Sequence, residues 1–165
     1  MKTLLTSLGL LLTLYSFGQE YLLKNEKAIY SFETVSGKSL MIARDSSDSY
    51  LVYRFGTSSN IELEYPKNKR NSWQKFEYSY WFRGGGIENA GLDINFLYFD
   101  IGHYRYIVYD TYSAESEKNE CGIKVINQNT EKETDILGLI NTTSGSLLAG
   151  FRWNDLISEG DVLYF

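Results

Sequence analysis

The sequence predicts an all-β domain, either a single antiparallel sandwich or a flattened barrel with meander connections and at most one short helix. Three observations carry this. Apolar and polar side chains alternate over many short stretches, the period of two expected of half-buried strands. Turn-forming clusters recur about every 8–12 residues, as in sandwiches and barrels. No stretch holds a 3.6-residue apolar period long enough for a substantial helix. The 14 tyrosines and 9 phenylalanines among 165 residues suit a pleated, half-exposed surface.

The strongest alternation lies between Phe76 and Asp110. Phe76, Tyr78, Tyr80 and Phe82 point one way, and Glu77, Ser79 and Trp81 the other. Gly84 to Gly86 break the run. A second alternation follows in Leu92, Ile94, Phe96 and Tyr98, expected to face the core, and a third in Tyr104, Tyr106 and Val108. Three such strands in succession form an antiparallel meander around which the other strands pack.

The remaining elements follow in order. Ala28–Val35 reads as a strand, turning at Ser36-Gly37-Lys38 into a second strand through Leu40 and Ile42, a hairpin. Asp45–Ser49 is a turn. Leu51, Tyr53 and Phe55 mark a third strand, and Gly56–Asn60 a loop. Ile61, Leu63 and Tyr65 face inward on a fourth strand, with Glu62 and Glu64 toward water. Pro66, the single proline, ends it, because proline cannot donate to a ladder. A charged loop runs to Ser72. After the meander come a polar hairpin end at Ser113–Glu120, a strand at Gly122–Asn127, a turn at Asn127–Thr130 and a return strand at Glu133–Leu137. Thr142–Ser146 reads as a loop and Leu147–Phe151 as a late strand. Asn154 caps one helical turn through Ile157, and Val162–Phe165 packs back as an edge strand.

Residues 1–18 have the form of a secretory signal peptide. Lys2 gives a positive start, Leu4–Phe17 is mostly apolar, and Ser16 and Gly18 stand at −3 and −1 of a cleavage site before Gln19. The run is too short to span a bilayer comfortably, and no cysteine follows it for lipid attachment. Residues 19–165 then form one β domain, without membrane insertion once the leader is removed. That segment loses Lys2 and no acid, so it is one unit more negative than the −5 of the whole chain. An acidic balance argues against nucleic acid or anionic membrane as partner. The single cysteine, Cys121, excludes an internal disulfide. An exported chain without disulfides points to a bacterial periplasm or cell exterior.

At YLVYRFGTSSNIELEYP, YSYWFRGGGIENAGLDINFLYFD and YRYIVYD the chain resembles a family of small exported bacterial all-β proteins. Its members share, in order, YRFG, ELEYP, FRGGG, a tyrosine-rich strand, an acidic hairpin and a GI-V segment. The resemblance covers about Tyr50 to Val125 and implies an exported single-domain β protein, without bringing a chemistry. The chain is also similar to the bacterial periplasmic lysozyme inhibitors, small β folds that insert a Ser-Gly loop into the lysozyme cleft. Ser36-Gly37-Lys38-Ser39 and Ser144-Gly145-Ser146 offer that dipeptide, with Leu40 and Leu147 where the inhibitor motif has tyrosine.

Few groups point to catalysis. His103 is the only histidine, so any Ser-His-Asp or Cys-His system would have to use it; its place after Ile101-Gly102 suits a turn. Cys121 reads as a small buried filler. One histidine and one cysteine make a zinc site improbable, and Asp45 and Asp48 lack the length and later glutamate of a calcium loop. Neither cofactor nor metal is expected. Glycoside hydrolysis needs two acids flanking a sugar, for which Glu77, Glu88, Asp93 and Asp110 are candidates by position alone.

The most specific local feature is Arg83 followed by Gly84, Gly85 and Gly86. Glycines allow positive φ and close backbone approach, which serves either a wide turn or a loop that binds through its amides. With Trp73, Trp81 and Glu88, these residues make a candidate aromatic and cationic patch for a protein or a glycan, and Trp81 is the ring expected on the exposed side. The expectation is an exported non-catalytic binding protein, in one version an inhibitor of a cell-wall enzyme. The alternatives are a carbohydrate-binding module and a small carboxylate-dependent hydrolase.

Overall fold

The computed structural model describes residues 21–57, 59–161 and 163. The expected signal peptide at 1–18 lies outside them, as do Val162, Tyr164 and Phe165 of the expected terminal strand. Two sheets face each other as an open sandwich rather than a closed barrel. The first is antiparallel and comprises β1 (Glu26–Glu33), β2 (Ser39–Asp45), β3 (Leu51–Thr57), β4 (Asn60–Tyr65) and the two-residue β10 (Ser144–Gly145), in the order β10-β1-β2-β3-β4.

The second sheet comprises β5 (Glu77–Arg83), β6 (Leu92–Ile101), β7 (Tyr104–Ser113), β8 (Lys118–Asn127), β9 (Lys132–Leu137) and the two-residue β11 (Ser158–Glu159), in the order β11-β5-β6-β7-β8-β9. Strands β5 to β7 are the expected three-strand meander, and β8 and β9 extend it, each strand pairing antiparallel with the next. Only β11 pairs in parallel, with β5. The Thr34↔Gly138 bridge ties the two sheets at one corner.

The core between the sheets is aromatic. Tyr30 and Phe32 of β1, Leu40 and Ile42 of β2, and Tyr53 of β3 meet Tyr78, Leu97, Phe99, Val108 and Ile123 of the second sheet. Phe99 stacks on Tyr65 at 4.2 Å and on Tyr106 at 5.2 Å. Offset ring pairs of this kind add to the area they bury, and they fix the sheets' spacing.

Two expectations are corrected. Leu147–Phe151 is not a strand but a short helix, α1, with Ser146 accepting from the Ala149 N–H at its start. Leu147 and Phe151 are the buried pair, and their separation by four is helical spacing; leucine and alanine between them favour the helix. On β6 the buried face is the opposite one. Leu97, Phe99 and Ile101 enter the core, whereas Ile94, Phe96 and Tyr98 lie on the outer face with Ile107 and Tyr109. The physical reason is that β6 is apolar on both faces along much of its length, so alternation could not say which faced inward.

Candidate functional site

The outer faces of the two sheets differ. That of the first is covered: Tyr21 packs on Met41, Ala43 and Val52, with Leu22 and Tyr50 beside them. Arg54, on the same face, is buried against Glu26 and Glu64. That of the second sheet opens into a trough of about 910 Å³. Its floor is Leu92, Ile94 and Phe96 of β6 and Tyr109 and Thr111 of β7. Trp81 of β5 forms one wall, and Val35, Leu137 and Ile140 form the opposite one. Leu163 fills one end, packed with Phe96, Tyr98 and Ile107.

The floor is shaped by a glycine. A side chain at Gly122 would collide with the Tyr109 ring and approach the Ile136 carbonyl oxygen to 2.8 Å. Without one, the Tyr109 ring lies across β8, and its hydroxyl donates to Asp135 at 3.1 Å. Burial, then the charge and hydrogen bond of Asp135, push the Tyr109 hydroxyl well above the ordinary tyrosine range, so it stays protonated. The polar rim holds Ser113, Ser116, Lys118 and Glu120, with Lys124 paired to Glu133 at 3.1 Å. A concave apolar surface with a few polar groups at its edge, within the range of about 300–1,000 Å³ typical of ligand pockets, suits a ligand with an apolar portion.

Of the expected site residues, Trp81 is in the trough and 47 % exposed. Arg83, Gly84, Gly85, Gly86 and Glu88 are not among its lining residues. They form a turn braced by its own side chains and carbonyls. Arg83 Nε and Nη2 donate to the Ala90 carbonyl at 2.8 and 2.5 Å, and Asn89 Nδ2 donates to the Gly84 carbonyl at 2.8 Å. The Gly86 carbonyl accepts from the amides of Asn89 and Gly91. Positive φ at Gly85 and Gly86, 97° and 60°, is what the triplet supplies. The Ala114 N–H donates to the Gly91 carbonyl at 2.8 Å, which anchors this turn to the β7–β8 hairpin. Glu88 is exposed within the turn. Trp73 is corrected: it is 5 % exposed, packs on Phe151 and donates to the Asp48 carbonyl, so it is a core ring and no part of a surface patch.

Three of the four candidate carboxylates are engaged. Glu77 accepts from the Tyr98 hydroxyl at 2.9 Å. Asp93 is paired with Arg152, whose guanidinium also reaches Asn95 Oδ1 at 2.9 Å and lies over the Tyr80 ring at 4.4 Å. Asp110 accepts from the Leu147 N–H at 3.3 Å, and burial raises its pKa. Asn95 joins the two acids, donating to Asp93 and to the Asp110 carbonyl. This network holds α1 against β6. His103 is exposed in the β6–β7 turn, Cys121 is buried, and no cluster among the described residues could hold a metal.

The sequence reading missed Ile94, Phe96, Tyr109, Leu137 and Val35 as site residues. A signal was present, since LDINFLYFDI carries large apolar residues on both of its faces, more than one core can absorb. No protein-family model matches the chain, and neither the curated proteins nor the solved structures give a match. Among the described residues, no helix is long and apolar enough to cross a membrane.

Proposed function

We propose that the chain is an exported, non-catalytic binding protein that holds an apolar portion of its ligand against the outer face of the second sheet. The observation that carries this is the contrast between the faces: one is covered by the chain's own residues, the other keeps a trough of about 910 Å³ walled by Trp81 and Leu137. Large apolar surface left open beside a polar rim marks a binding site. The floor of Leu92, Ile94, Phe96 and Tyr109, with the polar groups confined to the rim, favours an apolar chain or side chain over a sugar. The engagement of Asp93 by Arg152 and of Asp110 by the first turn of α1 favours binding over hydrolysis. Export rests on residues 1–18.

Inhibition of a cell-wall enzyme is one version of this function. Of the two Ser-Gly dipeptides, Ser144-Gly145 is paired with β1, while Ser36-Gly37 is an exposed turn beside Val35 at the trough's rim.

N-phenyl-1-naphthylamine, an uncharged dye that brightens in apolar sites, tests the reading. Saturable one-to-one uptake is expected, weakened about tenfold or more by Ile94→Asp, which places a charge on the floor. Absence of saturable uptake, or full uptake by a folded Ile94→Asp protein, contradicts it.

A further inference from the structure

Among the described residues, the β5 edge of the second sheet is only half used. Strand β11 pairs with Glu77 and Tyr78 alone, and the Gly160 N–H closes this pairing by donating to the Tyr78 carbonyl at 2.9 Å. In an antiparallel pair, residues alternate between bonding to their neighbour and pointing away from it. Tyr78 points away from β6, so with the regular β5–β6 register the N–H and C=O groups of Tyr80 and Phe82 do as well. No backbone hydrogen bond among the described residues reaches them from that side.

The sheets' other edges are blunted. β9 carries Lys132, Glu133 and Asp135, β4 carries Glu62 and Glu64 and stops at Pro66, and β10 has two residues. Charge, proline and shortness are the usual protections against strand addition. The free part of β5 has no proline, and its one charge, Arg83, is turned back onto the Ala90 carbonyl. It presents Trp81, 47 % exposed, on the trough side and Phe82, 60 % exposed, on the other.

The chain itself shows what fits. Its segment after Ile157 first adds a strand to this edge at Ser158–Glu159. It then leaves at Gly160, where a Cβ would fall 1.9 Å from the Tyr98 hydroxyl, and places Leu163 on the outer face. A polypeptide thus already supplies both the edge pairing and the apolar side chain in the trough.

We propose that the free half of the β5 edge, Tyr80 to Arg83, takes up an extended polypeptide segment by strand addition, its outward-facing apolar side chains packing against Trp81 at the trough's wall. This rests on the trough's being a binding surface, and it names the ligand class as an extended segment without proline at its bonding positions. Main-chain bonds supply affinity in such recognition and side-chain pockets supply selectivity.

The test uses a blocked peptide of alternating threonine and valine with terminal lysines, its analogue N-methylated at alternate residues, and N-phenyl-1-naphthylamine. Expected are saturable binding of the parent peptide and slowed amide exchange at Tyr80 and Phe82. The N-methylated peptide is expected to bind at least about tenfold more weakly. Phe82→Pro, which removes one edge donor, is expected to lower peptide affinity while dye uptake persists. Equal binding of both peptides overturns strand addition, as does failure of both where the dye still binds; the trough reading survives either result. Failure of the dye as well overturns the trough reading and this inference with it.

Discussion

Arg54 grips the Glu26 carboxylate with two nitrogens, Nη1 to Oε2 at 2.5 Å and Nη2 to Oε1 at 2.9 Å, and both side chains are withdrawn from water. Glu64 takes the remaining edge of the guanidinium at 2.7 Å. This pair sits on the outer face of the first sheet and fastens the segment from Tyr21, whose carbonyl also accepts from Arg54. It explains why that face is covered.

The same pair predicts an acid transition. Burial alone would raise the Glu26 pKa, but the hydrogen bonds from Arg54, Leu23 and Tyr50 hold it down to about 2, against 4.5 for a free side chain. A depressed carboxylate stabilises the fold fully above its unfolded pKa and loses that contribution as pH falls through the folded one, here between about 4.5 and 2. The contribution is about 3 kcal/mol at most. Glu26→Gln should therefore melt well below the wild type at pH 7, with the gap closing toward pH 2. Thermal melts across that range check this, and a gap independent of pH contradicts it.

Arg152 predicts a loss of stability on truncation. Its side chain is 5 % exposed, paired with Asp93 and laid over Tyr80. Arg152→Ala leaves the partly buried Asp93 carboxylate without its counter-charge, and the expected cost lies below the roughly 3–5 kcal/mol of a fully buried pair. Denaturant titrations of Arg152→Ala, Asp93→Asn and the double variant should give a coupling above about 1 kcal/mol. Additive losses would mean that the two side chains act independently.

Cys121 should be inert in the native state. Burial drives its pKa up to about 11, a rise to which the Asp110 charge adds. At pH 8 the thiol is protonated and enclosed, and the thiolate is the reactive form. A disulfide reagent such as dithionitrobenzoate is expected to label it only as fast as the protein unfolds. Prompt labelling without denaturant contradicts this placement.

Gly122→Ala tests how the trough floor is built. The added methyl would fall 2.8 Å from the Ile136 carbonyl and within the Tyr109 ring. The expected cost is about 1–3 kcal/mol, and the displaced ring should lower dye uptake as well. A variant that melts and binds like the wild type would show that the floor accommodates the methyl without loss.

Much of the fold was legible because its signals are local. Period-two alternation located β1 to β8, Ser36-Gly37 falls in an observed turn, and the expected turns at Asp45–Ser49 and Asn127–Thr130 each begin on the last residue of a strand. Trp81 was read as exposed because it alternates with Tyr80, which packs on the core. What alternation could not supply was the identity of the inner face on β6, where Phe96 and Phe99 are both large and apolar. That depends on which side the other sheet covers, a tertiary fact. Helix α1 was hidden for a related reason: five apolar and small residues fit either period, and the pairing of Ser146 and Leu147 with Asp110, far away in sequence, favours the helix. Arg83 and the glycine triplet stood out as a motif, but the Arg83 guanidinium and the Gly84 and Gly86 carbonyls bond within their own turn.

The most direct test of the account is a map of methyl resonances as N-phenyl-1-naphthylamine is added. The outer face of the second sheet predicts shifts at Leu92, Ile94, Leu137 and Ile140, with Leu40, Ile42 and Leu51 of the first sheet unmoved. Shifts centred on the first sheet, or none at saturating dye, would contradict a binding surface there.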